Sequence, residues 1–227
     1  MIRDHRSMAL IIVAPVIVMS LVGFSLVGET QLLNRLAPSL LGVFTLFFTF
    51  LLTGVSFLRE RSHGTLERLQ TTPISRADLL AGYLLGFMPF SALQSMILLG
   101  YTIVVLPVSY QGQVLQVFVV LLVLTIVAVS LGILVSTFAN NEFQIVQFIP
   151  LVIAPQIFLT GVIVPVETMP WLLAQTSHFL PLTYAVDALV GIMVSGATLA
   201  DFVREIVILG AFGGVFLLAA STTVRRS

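Results

Sequence analysis

The sequence predicts an all-α integral membrane protein with six transmembrane helices, and three observations carry that prediction. Hydrophobic residues make up 58% of the 227 and charged residues only 9%, where a soluble domain has about 25% charged. Mean hydropathy is +1.12. The apolar residues gather into runs of about the 20 residues that a bilayer crossing takes, and the acids and arginines fall in the loops or near the run ends. Six such runs with short connections leave little room for a soluble domain, so 1–227 reads as a single membrane domain.

The first span, 8–27, follows Arg3, Asp4 and Arg6 and contains Pro15, which a membrane helix tolerates when neighbours satisfy the freed carbonyl. It superficially resembles a signal peptide. Its apolar run is too long for that and no small-residue cleavage pattern follows, so it reads as a retained span. A polar link, Gly28-Glu29-Thr30-Gln31, leads past Arg35 and Pro38 to the second span, 40–58. There Phe44, Phe47 and Phe48 share a helical face, as packing and lipid-facing bulk or as the lining of a substrate pathway.

The third span, 76–106, opens on Ser75-x-x-Asp78, a capping-box-like start. It carries Gly82-x-x-x-Gly86, and Gly210-x-x-x-Gly214 repeats the pattern in the last span; either admits a close helix. A turn through Pro107 and Gly112 leads to the fourth span, 114–138. After the polar Asn140-Asn141-Glu142 comes the fifth, 143–164, which Pro150 and Pro155 kink or break. The next segment, with Gly161, Pro165, Glu167, Pro170, Trp171, Pro181, Tyr184 and Asp187, has apolar runs too short to cross. It reads as helices lying in or dipping into the interface, a depth that suits Trp171 and Tyr184. The sixth span, 206–223, lies between Asp201, Arg204 and Glu205 on one side and Arg225-Arg226 on the other.

Between spans two and three stands an island of charge that includes Arg59, Glu60, Arg61, Glu67 and Arg68. Each arginine at the bilayer centre would cost about 2.5–3.5 kcal/mol, so the island lies outside the hydrocarbon. Placing it in the cytoplasm puts Arg3, Arg6, Arg59, Arg61, Arg68, Arg76, Arg225 and Arg226 inside and leaves Arg35 and Arg204 outside. That satisfies the positive-inside rule with both termini cytoplasmic. Leu66, Leu69 and Ile74 give the island a small apolar face, fit either for headgroups or for a groove in a partner.

The same composition excludes several chemistries. There is no cysteine, hence no disulfide, thiol nucleophile or cysteine-held metal. His5, His63 and His178 sit in separate loops without HExxH, so no metal site is expected. Zero net charge argues against nucleic acid as a partner. All ten basic residues are arginine, and a P-loop needs lysine on its phosphates; ATP, if it drives this chain, is bound by another polypeptide.

The island Arg59-Glu60-Arg61-x-x-Gly64-Thr65-Leu66-Glu67-Arg68-Leu69-x-x-Thr72-Pro73-Ile74-Ser75-Arg76, with Gly82-Tyr83 after it, resembles the loop between the second and third spans of ABC-2 type exporter permeases. Phe158-Leu159-Thr160-Gly161-Val162-x-x-Pro165-Val166-Glu167-x-Met169-Pro170 and Pro181-Leu182-Thr183-Tyr184-Ala185-Val186-Asp187 are similar to that family's external re-entrant helices. Arg3-Asp4-x-Arg6 looks like the end of its N-terminal interface helix, most of which is missing here, so a late start site or a shortened form is expected. Val190 stands where a basic residue often follows, and the short first link matches the compact drug-resistance type.

The resemblance implies a permease subunit in the plasma (cell inner) membrane, working as a homodimer or heterodimer among membrane lipids. A separate ATP-binding cassette ATPase would carry the ATP and magnesium, so this chain needs no cofactor. It also implies a coupling loop at 59–75, docking through Arg59, Glu60, Arg61, Gly64, Thr65, Leu66, Glu67, Arg68, Leu69, Thr72 and Pro73. An external segment at 165–190 would cap the pathway, with Gly161, Pro165, Glu167, Pro170, Pro181, Tyr184 and Asp187 as gate residues. Hydrophobic or amphipathic export is the expected function. An assembly or sensor protein that recruits a partner without transport, and an ion-coupled carrier, are the alternatives.

Overall fold

The computed structural model of the chain describes residues 5–62 and 76–223. Its described residues form α-helices and two short 3-10 turns, with no strand. The helices are α1 (His5–Ser25), α2 (Thr30–Ser62), α3 (Arg76–Val105), α4 (Val114–Ser136), α5 (Glu142–Leu159), α6 (Trp171–Ser177), α7 (Pro181–Ser195) and α8 (Val203–Thr223). Five qualify by length and composition to cross a membrane: α2, most of α3, α4, α5, and α8 with the turn before it. The count is six if α6 and α7, bent by 87°, are taken as one broken span. The described apolar part of α1, Ile12–Ser25, is shorter.

α4 is the axis of the bundle because it is apolar on every side, and a helix without a polar face belongs in a core. Val117, Val120, Leu121, Leu124, Val127 and Ala128 are all fully buried, and α4 packs against α2, α3, α7 and α8. It comes close to α2 at Gly132. A Cβ there would lie 2.9 Å from the Phe50 carbonyl oxygen and 3.0 Å from the Thr53 Cβ.

α2 begins at Thr30, ten residues before the apolar run that marks it in the sequence. Leu33, Ala37 and Leu41 recur at four-residue spacing and are buried, so the helix starts where its inward stripe starts. Polar Gln31, Asn34 and Arg35 occupy the other faces, and Pro38 is carried inside the helix. α1 packs on α2 and α3, and Ser20 shares a hydrogen bond with Tyr101 of α3.

A polar seam joins α2 to α3. Thr45 Oγ1 and Ser95 Oγ lie 3.1 Å apart, and Thr49, Thr53, Ser91 and Gln94 of the same two helices are buried as well. The turn after α3 holds Tyr110, whose phenol is pushed above its ordinary value by burial.

α5 is capped by Asn141, whose side chain accepts from the Gln144 backbone N–H. Beyond it the chain turns at Gly161 in a left-handed conformation (φ 83°), where glycine pays no steric penalty. Then come a 3-10 turn, Val166–Thr168, the short α6, and the bend into α7. α7 is 15 residues long, roughly 22 Å, short of the ~30 Å hydrocarbon core. It is nonetheless buried: Leu182, Ala185, Ala188, Leu189, Ile192 and Met193 are at most 1% exposed, packed against α2, α4 and α8.

Candidate functional site

The charged residues gather at the two ends of α2, and a rise of 1.5 Å per residue sets Arg35 and Arg59 roughly 36 Å apart along the helix. That exceeds the ~30 Å of bilayer hydrocarbon, so the two clusters stand at opposite faces of the bundle.

At the C-terminal end, Arg59, Glu60 and Arg61 are consecutive. Successive residues of an α-helix point about 100° apart, and these three reach three different parts of the fold. Arg59 Nε and Nη2 donate to Glu142 Oε1 and Oε2 at 2.6 and 2.9 Å, joining α2 to the first residue of α5. The Glu60 carboxylate accepts from the Tyr83 hydroxyl of α3, and the Tyr83 ring stands edge-on to Phe57 with centroids 4.9 Å apart. Arg61 Nη1 donates to the Thr137 carbonyl at 3.0 Å and more weakly to that of Ser136 at 3.4 Å. Those carbonyls belong to the end of α4, where unpaired acceptors and the helix dipole favour a cation.

This hub holds α3, α4 and α5 to the last turn of α2, at the point from which the segment 63–75 departs. Gly64, Thr65, Leu66, Glu67, Arg68, Leu69, Thr72 and Pro73 lie outside the described residues. Of the expected coupling residues, Arg59, Glu60 and Arg61 are therefore the described ones, and each makes a contact within this chain. Of their partners, Tyr83 stands in the sequence after the island and Glu142 in a polar turn without either being paired with α2, and Thr137 was not singled out. The polar turn around Glu142 was visible there, but its pairing with Arg59 was not.

At the other end, α2, α7 and the turn after α5 line an open-sided cavity of about 430 Å³. Arg35 Nη2 donates to the Gly161 carbonyl at 2.9 Å, tying α2 to the left-handed turn. Pro165, Glu167 and Asp187 also line this cavity, so four of the expected gate residues come together there: Gly161, Pro165, Glu167 and Asp187. Pro170 and Pro181 instead start α6 and α7, where proline's fixed φ suits a first turn. Tyr184 braces the bend by donating its hydroxyl to the His178 carbonyl at 2.9 Å.

Phe44, Phe47 and Phe48 are half-buried. Phe47 and Phe48 meet edge to face with centroids 4.8 Å apart, and Phe44 and Phe47 pack onto the buried core. No group of three or more metal-ligating side chains occurs among the described residues.

A profile of the ABC-2 type transporter family matches residues 1–194. Among curated relatives, the chain is 27% identical over 190 residues to the probable multidrug ABC transporter permease YbhS of Escherichia coli K12, covering 82% of this chain and 50% of the relative. It is 26% identical over 170 residues to the linearmycin resistance permease protein LnrN of Bacillus subtilis 168, covering 75% and 44%. It is also 27% identical over 171 residues to ABC transporter G family member 20 of Dictyostelium discoideum, covering 75% and 23%. The matched region thus spans half or less of each relative. With the all-helical bundle and its apolar spans, the match along 1–194 makes this multi-pass membrane chain a member of the ABC-2 type transporter family.

Proposed function

We propose that the chain is the transmembrane permease subunit of an ATP-binding cassette exporter that moves a hydrophobic or amphipathic substrate outward. It pairs with a second permease, identical or not, and docks on separate ATPase subunits. The single observation that carries this reading is the hub at Arg59, Glu60 and Arg61. It adjoins the segment that resembles a coupling loop and is bonded to the ends of α3, α4 and α5.

A push on the loop by the ATPase reaches α2 first. Through the hub it then bears on the α4–α5 turn and on α3, so one docking contact moves four helices together. α1 serves as the first of six spans, α6 and α7 as the external re-entrant segment, and the arginine excess places the hub and both termini in the cytoplasm. The relatives' names as permeases support ATP hydrolysis on another chain.

The test is Glu67→Arg, measured for co-purification of the ATPase subunit and for export in the same cells. Loss of both is expected. Unchanged co-purification and export would remove Glu67 from the docking contact.

A further inference from the structure

The cavity at the Arg35 end is built unlike a packing defect. Its volume of about 430 Å³ lies within the roughly 300–1,000 Å³ typical of small-molecule sites. One wall is apolar: Val186, Val190 and Val194 all line it, and their four-residue spacing sets them in a single stripe along α7. The lip is polar and charged, with Arg35 on α2, Glu167 on the 3-10 turn and Asp187 on α7.

The charges at the lip do not cancel. Two carboxylates stand against one guanidinium, and Arg35 directs Nη2 to the Gly161 carbonyl. The ion pair within 4.0 Å among the described residues joins Arg59 to Glu142 at the far end of α2, so Arg35 acts on Asp187 only from beyond contact distance. An anion entering this lip meets two carboxylates against one guanidinium, a net like charge, whereas a cation meets a net opposite charge and can lay an apolar body along the valines.

We propose that this cavity binds an amphipathic cation, with its ammonium group between Glu167 and Asp187 and its apolar part against Val186, Val190 and Val194. As a station on an export route the site rests on the function proposed above. As a binding site it does not, because equilibrium binding to the permease needs no ATPase.

The test uses the full chain in phosphatidylcholine nanodiscs, titrated calorimetrically with octyltrimethylammonium and with octyl sulfate as the matched anion, each corrected by empty nanodiscs. The cation is expected to bind saturably and about tenfold tighter than the anion, the direction set by a lip of net negative charge. The Glu167→Gln/Asp187→Asn double variant is expected to lose at least about fivefold in cation affinity and to erase the preference over the anion. Val190→Trp, which obstructs the valine stripe of the cavity, is expected to weaken binding with the charges intact. If that variant melts early, the charge variant alone decides. Equal affinity for both probes, no saturable phase, or an unchanged double variant would overturn the proposal. Binding that persists in a chain with no ATP-driven export keeps this site and removes the export reading; export without cation binding does the reverse.

Discussion

Arg59 and Glu142 are joined through both carboxylate oxygens, at 2.6 and 2.9 Å, although they lie 83 positions apart in the chain. Both side chains are about half exposed, at 57% and 49%, and exposed pairs contribute only about 0.2–1 kcal/mol. Arg59→Glu is therefore expected to lower the melting temperature of the purified permease slightly and to lower transport much more. The charge exchange Arg59→Glu with Glu142→Arg separates two roles. Restored transport means that the pair acts as a link between α2 and α5. Failure to restore it, with an unchanged melting temperature, means that Arg59 also contacts a partner.

At Gly132 the backbone of α4 lies close to that of α2. The nearest atoms to an added Cβ include the Phe50 carbonyl oxygen at 2.9 Å and the Gly54 nitrogen at 3.2 Å, backbone that cannot turn aside. Gly132→Ala is expected to destabilise the fold by about 1–3 kcal/mol, the usual penalty for overpacking. Gly100 makes the control: nothing lies within 4 Å of an added Cβ there, and Gly100→Ala in a helix interior is expected to be neutral or to stabilise by up to about 1 kcal/mol. Thermal unfolding of the two variants in one detergent checks both. Equal melting temperatures would contradict the close approach.

These glycines also mark the limit of what the sequence made legible. Gly82, Gly86, Gly210 and Gly214 have the spacing of a helix-contact motif, yet among the described residues no atom of another helix lies within 4 Å of a Cβ added at any of them. The tight contact pairs Gly54 with Gly132, one glycine on each of two helices far apart in the chain, and no spacing within one helix encodes that. α4 was readable because a helix apolar all round has one place to go. The start of α2 was hidden because hydropathy marks apolar runs, whereas Leu33, Ala37 and Leu41 form only an inward stripe among polar residues. The arginines of the hub were visible as a charge island, but their bonds to Glu142 and Thr137 depend on how α2 meets the α4–α5 turn. At the far cavity, Gly161 and Glu167 were visible as turn and loop residues, while Arg35 reads as a link residue until α2 is extended back to Thr30.

The seam between α2 and α3 offers a matched comparison. Thr45 Oγ1 bonds Ser95 Oγ at 3.1 Å, whereas the buried hydroxyl of Thr49, one turn along, has no hydrogen-bond partner. Thr45→Val leaves the Ser95 hydroxyl unpaired and is expected to cost about 0.5–1.5 kcal/mol. Thr49→Val removes a buried group that gains nothing from the fold and is expected to hold or raise the melting temperature. A Thr49→Val protein that melts normally but transports poorly would assign that hydroxyl to the transport cycle instead.

Gln156 carries the last prediction, because it secures the bend on which the cavity depends. α7 begins with Pro181, which has no N–H, so Leu182 presents the first unpaired donor of the helix. Gln156 Oε1 of α5 accepts it at 3.1 Å, and both residues are buried, at 3% and 0% exposure. Thr183 adds a second tie by donating its hydroxyl to the Ser177 carbonyl at 2.6 Å, so the two bonds fix where α7 starts after the 87° turn. Gln156→Met keeps most of the volume but leaves the Leu182 N–H unsatisfied in an apolar interior, at a cost of about 1–3 kcal/mol. Amide hydrogen exchange at Leu182 and Thr183 is expected to speed up in that variant while the centre of α4 stays protected. Unchanged exchange at Leu182 would show that another acceptor caps α7, whose start would then be held by the bonds of Thr183 and Tyr184 to the Ser177 and His178 carbonyls.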